Sequence, residues 1–246
     1  MIEKTDIQKS DANWKSIYRL GAAAALLSVL FAVLEILITF LPGGERVSPE
    51  LLTVLLWFER LQANPLLELR NLGLINIFLT TFGLLLSFAL FAAHRKVNPG
   101  WAGLSLVISA IGGAVFFATN RCFSMLALSN RYADATDEAQ RAALVAAGEA
   151  MLAVGESHTP GTFLAFSLSL IASLLMAWVM LRGEVFSRAA AYVGMVAFGF
   201  LLVFEILSDF VPALFEAAMI FAMIGGIASL VWYSMVARRL FQLAKE

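Results

Sequence analysis

Six apolar runs, at about residues 21–41, 72–93, 101–119, 162–181, 189–207 and 214–237, constrain this chain more than any other feature. At about 1.5 Å of rise per residue, runs of this length cross a hydrocarbon core of about 30 Å as helices. The expected fold is therefore all-α, a polytopic membrane helix bundle with six transmembrane helices. Composition agrees: 61% hydrophobic residues and a mean hydropathy of +0.84 lie outside the soluble range. The formal net charge is -1 and no basic block is present, so nucleic acid is not expected as a partner.

Between the runs the polar segments carry their own signals. Residues 1–20 form a polar N-terminal segment in which a short interfacial helix, capped by Ser10 or Asp11, should place Trp14 and Tyr18 at headgroup level. The first run opens on small residues instead of closing on them, so it is read as a retained helix, ended by Pro42-Gly43-Gly44. Two extracytoplasmic amphipathic helices are expected, one over 49–62 behind a Ser48 cap and Pro49, the other over 137–154 with Asp137 and Glu138 at its start. Asn64-Pro65 signals a start for the second spanning helix, with its first turns outside the bilayer, and the third should continue unbroken through Asn120 and Arg121 to Tyr132. Residues 238–246 form a C-terminal tail.

Orientation follows from the distribution of Lys and Arg near helix ends. Lys4, Lys9, Lys15, Arg19, Arg95, Lys96, Arg182, Arg188, Arg238, Arg239 and Lys245 fall on the side of the termini. Only Arg46, Arg60, Arg70, Arg121, Arg131 and Arg141, in longer segments, fall opposite. Both termini are expected in the cytoplasm of a cell whose inner (plasma) membrane holds the bundle.

The stretch Tyr132-Ala133-Asp134-Ala135-Thr136-Asp137-Glu138-Ala139-Gln140-Arg141, continuing to Ala146-Ala147-Gly148-Glu149-Ala150, resembles a prokaryotic family of multi-pass membrane proteins catalogued as domain of unknown function 4386. Val179-Met180-Leu181-Arg182-Gly183-Glu184-Val185-Phe186-Ser187-Arg188, with Ala191-Tyr192-Val193-Gly194, is similar to that family's link between its fourth and fifth helices. The resemblance extends more weakly over residues 15–243. It implies a helical membrane protein and brings no catalytic residue set with it.

Chemistry is therefore sought among the polar residues inside the apolar runs. Counting from the charges on the terminal side puts Glu35, Asn76, Asn120, Arg121, Glu205, Asp209 and Glu216 at roughly 24 to 33 Å, near the far boundary of the hydrocarbon core. Glu205 and Asp209, four apart, share a helix face, and Pro212 turns the chain so that Glu216 returns nearby. A charge facing lipid is unfavourable by about 2.5 to 3.5 kcal/mol on the insertion scale, so Glu35 and Glu205 should point inward, with Arg121 as first partner and Arg70 as second. The bland reading of these charges is headgroup contact and structural pairing. The sharper one is an outward-facing pocket for a small molecule, lipid headgroup or cation, in a binding, sensing or transport component.

Two further readings belong to other classes. A carboxylate- or metal-dependent membrane hydrolase or transferase would need His158 as a weak metal candidate beside the acids, but no catalytic motif nominates it. Cys122 is the single cysteine, so neither an intrachain disulfide nor a cysteine-based metal site can form, and no cofactor is predicted. A structural or assembly subunit, or a homo-oligomer, would use the amphipathic connections to dock a partner. Gly83 with Ser87, Ser109 with Gly113, and Gly225 with Ser229 are read as small-residue packing pairs.

Overall fold

The computed structural model describes residues 2–39, 53–155 and 159–246, and the backbone alone for residues 2–12. The Pro42-Gly43-Gly44 stop, the Ser48 cap with Pro49, and His158 lie outside the described residues. Among the described residues there are ten α-helices and no strand: α1 (Ile2–Thr39), α2 (Val54–Ala63), α3 (Pro65–Asn71), α4 (Leu74–His94), α5 (Pro99–Thr119), α6 (Cys122–Asp134), α7 (Glu138–Gly155), α8 (Pro160–Gly183), α9 (Arg188–Phe210) and α10 (Phe215–Leu243). Six segments are long and apolar enough to span a membrane, and they coincide with the six runs in the sequence. The protein is an all-α membrane helix bundle.

The spanning helices close into a ring. α1 packs on α4, α4 on α5, α5 on α8, α8 on α9, α9 on α10 and α10 back on α1. Close approach depends on small residues, because lipid supplies no hydrophobic drive for helix association. A Cβ on Gly21 would lie 2.1 Å from that of Ala89, and one on Gly225 would lie 2.9 Å from the Ala197 carbonyl oxygen. The half of the ring nearest the termini is solidly packed, with Ala22, Leu90, Met180, Phe198, Trp232 and Leu240 in one buried cluster. Outward the bundle shows lipid an apolar surface, including Leu30 and Leu37 on α1 and Met223 and Ile227 on α10. Around the terminal end run the aromatic residues Trp14, Tyr18, Trp101 and Trp178, as a membrane boundary requires.

Several boundaries differ from the sequence reading, each for a local reason. The N-terminal segment is not a separate interfacial helix; it continues into the first span as one helix. α3 is detached from the second span at Gly73, whose φ of +101° reverses the chain where other residues are strained. Asn64 serves both neighbours there: its N–H donates to the Arg60 carbonyl to end α2, and its side-chain oxygen accepts from Leu67 N–H to start α3. The third span is also broken. Asn120 takes an extended ψ of 121° and its side-chain oxygen accepts from the Cys122 N–H at 3.1 Å, a local bond that competes with the helix.

These breaks give a cap of four short helices, α2, α3, α6 and α7, at the end opposite the termini, where two amphipathic helices were expected. The cap has its own core of Val54, Trp57, Phe58, Leu61, Cys122 and Met125 among others. Its polar seams are satisfied internally: Ser129 donates to the Phe58 carbonyl at 2.9 Å, and Gln62 donates to Ser129 and Asn130 at 3.0 and 2.9 Å. Fully paired seams of this kind fix one arrangement of the cap over the ring.

Candidate functional site

The seven polar residues singled out in the sequence lie on α1, α4, α9, α10 and the break between α5 and α6. Glu35, near the end of α1, is bound by Arg70 of α3: Nε donates to Oε2 at 3.1 Å, while a terminal nitrogen lies 3.1 Å from Oε1. Arg70 also donates to Thr39 Oγ1, to the Glu35 carbonyl at 3.2 Å and to Asn71 Oδ1 at 3.0 Å. Asn71 in turn donates to Glu68, whose other oxygen accepts from Arg60 at 2.9 Å. The first-choice partner of Glu35 in the sequence reading was Arg121; the turn at Gly73 instead swings α3 across the end of α1. The forked guanidinium, bound to carboxylate, carbonyl and hydroxyl oxygens of α1, marks this network as a clasp between α1 and the cap.

Asn120 ties the two helix breaks together, since its side-chain nitrogen reaches the Gly73 carbonyl at 3.5 Å. Arg121 is buried at 4% exposure, with its guanidinium carbon 5.9 Å from the Trp57 ring centroid and its stem against Gly155, where an added Cβ would lie 3.0 Å from Arg121 Cβ. Glu205, Ser208 and Asp209 are all buried on α9, and the Ser208 hydroxyl donates to the Phe204 carbonyl at 2.8 Å. Glu216 is exposed in the first turn of α10. Asn76 belongs to a feature the sequence did not disclose.

Inside the ring, below the cap, is a cavity of about 320 Å³. It runs along α4 from Asn76 to Leu90, a drop of about 21 Å at 1.5 Å per residue, and ends on the packed core at Met176 and Trp232. Seven lining residues offer amide or aliphatic hydroxyl groups: Asn76, Thr80 and Ser87 from α4, Ser105 and Ser109 from α5, and Ser169 and Ser173 from α8. Leu201 of α9 lines the same space, and Glu205 and Asp209 follow it at intervals of four on the same helix face. The two acids thus stand one and two turns above the cavity wall, toward the cap.

The hydrogen bonds of the lining decide its chemistry. Ser105 donates to the Ala172 carbonyl at 2.8 Å, Ser169 to Ala165 at 3.0 Å and Ser173 to Ser169 at 2.9 Å, while Ser87 and Ser109 share one bond of 3.0 Å. The protons of Ser105, Ser169 and Ser173 are committed to backbone carbonyls and one proton of the Ser87–Ser109 pair to the bond between them, and each hydroxyl oxygen keeps acceptor capacity. The Asn76 carboxamide, half-buried, has no protein hydrogen-bond partner among the described residues. The lining sets these acceptor oxygens beside the Trp232 Nε1–H, a buried donor with no hydrogen-bond partner among the described residues, and includes no carboxylate, imidazole or thiol. Among the described residues no three His, Cys, Asp or Glu side chains come together as a metal site.

These serines were visible in the sequence as Ser105 with Ser109 and Ser169 with Ser173, four apart on their helices. Some of the same positions were assigned to packing, and the structure divides them. Gly225 packs, whereas a Cβ on Gly83 would meet nothing within 4 Å because Gly83 borders the cavity. Which of two similar small residues faces a neighbour and which a void depends on the ring's closure, a property of six helices together.

Comparison with known proteins gives one result. Neither the curated proteins nor the solved structures contain a match to the chain. A family model described as a domain of unknown function, DUF4386, matches residues 63–234, well over half of the chain, from the second cap helix through the cavity to α10. The six spanning helices and the matched segment agree, and the chain belongs to the DUF4386 family of membrane proteins.

Proposed function

We propose that this is a membrane binding component whose intrabundle cavity takes a small amphipathic molecule bearing hydrogen-bond donors, such as hydroxyl or ammonium groups. The observation that carries this reading is the cavity's lining, in which Ser105, Ser169 and Ser173 spend their protons on backbone carbonyls and keep their oxygens as acceptors. At about 320 Å³ it is at the lower end of small-molecule sites, and a void lined in part by hydroxyl and amide groups has room for water or a ligand. The positive-inside pattern favours cytoplasmic termini in a plasma or inner membrane, and in that orientation the cap faces outward and the guest arrives from outside.

Gly83 supplies the test. Gly83→Leu adds side-chain volume at a cavity-lining position where a Cβ meets no protein atom within 4 Å. The wild-type protein, released from detergent in a native mass spectrometer, should carry a small adduct that Gly83→Leu lacks. A variant retaining the same adduct would refute the cavity as the site. If the void were a packing defect, filling it would only stabilise the fold, by about 0.5 to 2 kcal/mol, with no bound mass to lose.

A further inference from the structure

The terminal end of the bundle carries a second recess, of about 760 Å³, unrelated to the cavity under the cap. Three elements bring cations to it: Lys15 from α1, Arg95 and Lys96 from the turn after α4, and Arg239 from α10. Against these four the lining sets only one acid, Glu246. None of Lys15, Arg95 and Lys96 is ion-paired with a carboxylate among the described residues.

Arg95 is nonetheless held in place. Its guanidinium carbon lies 3.9 Å from the Trp14 ring centroid, and one terminal nitrogen donates to Tyr18 Oη at 2.9 Å and to the Ala92 carbonyl at 2.7 Å. An arginine fixed by an aromatic face and two neutral acceptors, with its charge unanswered, is preorganised for an anion. Arg239 is steadied by Nε donating to the Val185 carbonyl at 2.8 Å, and its partner Glu246 is 61% exposed, so that ion pair is readily exchanged for another acceptor.

The recess sits at the membrane boundary. Trp14 packs on Phe88 at 6.4 Å between ring centroids, and Phe88 is 39% exposed on the lipid-facing side of α4. A charged head in the recess would therefore have an apolar surface directly below it for an acyl chain. We propose that this recess binds a phosphate group, and that the phosphate is that of an anionic phospholipid of the leaflet on the terminal side. Basic pockets between helices at this level are suited to such headgroups, each Lys or Arg contributing about a fivefold gain in binding.

The experiment compares wild type with Arg95→Gln/Arg239→Gln, each reconstituted and then released for native mass spectrometry. Three probes are used at equal concentration: phosphatidylglycerol, phosphatidylcholine and inorganic phosphate. Wild type should retain phosphatidylglycerol over phosphatidylcholine, and the double variant should lose about 25-fold of that preference, two charges at about fivefold each. If inorganic phosphate raises the thermal midpoint of wild type but not of the variant, and no lipid preference is seen, the phosphate site stands and the lipid as its source falls. If no probe separates the two proteins, the proposal is overturned. Should the double variant fail to fold, Lys15→Gln/Lys96→Gln, which leaves the Trp14 stack intact, is expected to show the same loss.

Discussion

Replacing Arg70 with methionine removes the cation from the clasp while keeping most of its apolar bulk. Arg70 is 5% exposed and Glu35 17% by side chain, so in Arg70→Met the Glu35 carboxylate stays largely out of water with two charge-assisted hydrogen bonds gone. Breaking a buried pair from one side costs about 3 to 5 kcal/mol, and the partial exposure of Glu35 favours the lower figure. At about 2 to 4 °C per kcal/mol for a domain of this size, a loss of about 3 kcal/mol lowers the thermal midpoint by about 6 to 12 °C. Tryptophan fluorescence during heating in mild detergent measures it. Glu35→Gln/Arg70→Met removes both charges and should recover part of the loss, since the penalty comes from the stranded carboxylate more than from the missing contact. An Arg70→Met midpoint within 2 °C of wild type, or a double variant no more stable than the single one, would refute the reasoning.

Two more predictions concern the cap and its side of the membrane. Gly148→Leu should loosen the cap, because even a Cβ there comes within 2.5 Å of Val54 Cγ1; Cys122, the single cysteine and fully buried in that core, should then react with a maleimide at least tenfold faster than in wild type. Equal rates would mean that α7 does not seal the core. Gln140 is exposed at the start of α7, so Gln140→Cys in a Cys122→Ala background should be labelled by a membrane-impermeant reagent from outside intact cells. Labelling only after lysis would reverse the orientation.

The fold was legible because membrane spans are written in composition, and the six runs reappear within six long helical segments, the first of which begins well ahead of its apolar run. The breaks were less so. Asn120 and Gly73 end helices through a side-chain hydrogen bond and a left-handed backbone, local events that hydropathy does not register. The cost of a lipid-facing charge pointed Glu35 and Glu205 inward, but it could not sort them by partner. Glu35 met Arg70 because a detached helix crosses over it. The cavity was hardest to see, since Ser105, Ser109, Ser169 and Ser173 resemble ordinary packing residues until the ring closes and leaves space between them.

The central claim is that the bundle holds a polar cup, closed by the packed core toward the termini and reached from beneath the cap. Ser109 lies in its wall, 9% exposed. Ser109→Cys in the Cys122→Ala background, reconstituted in oriented vesicles and treated with a small membrane-impermeant thiosulfonate on one face at a time, tests that claim directly. Modification from the cap face and none from the terminal face is the predicted result. Modification from the terminal face alone, or from neither face, would contradict the account.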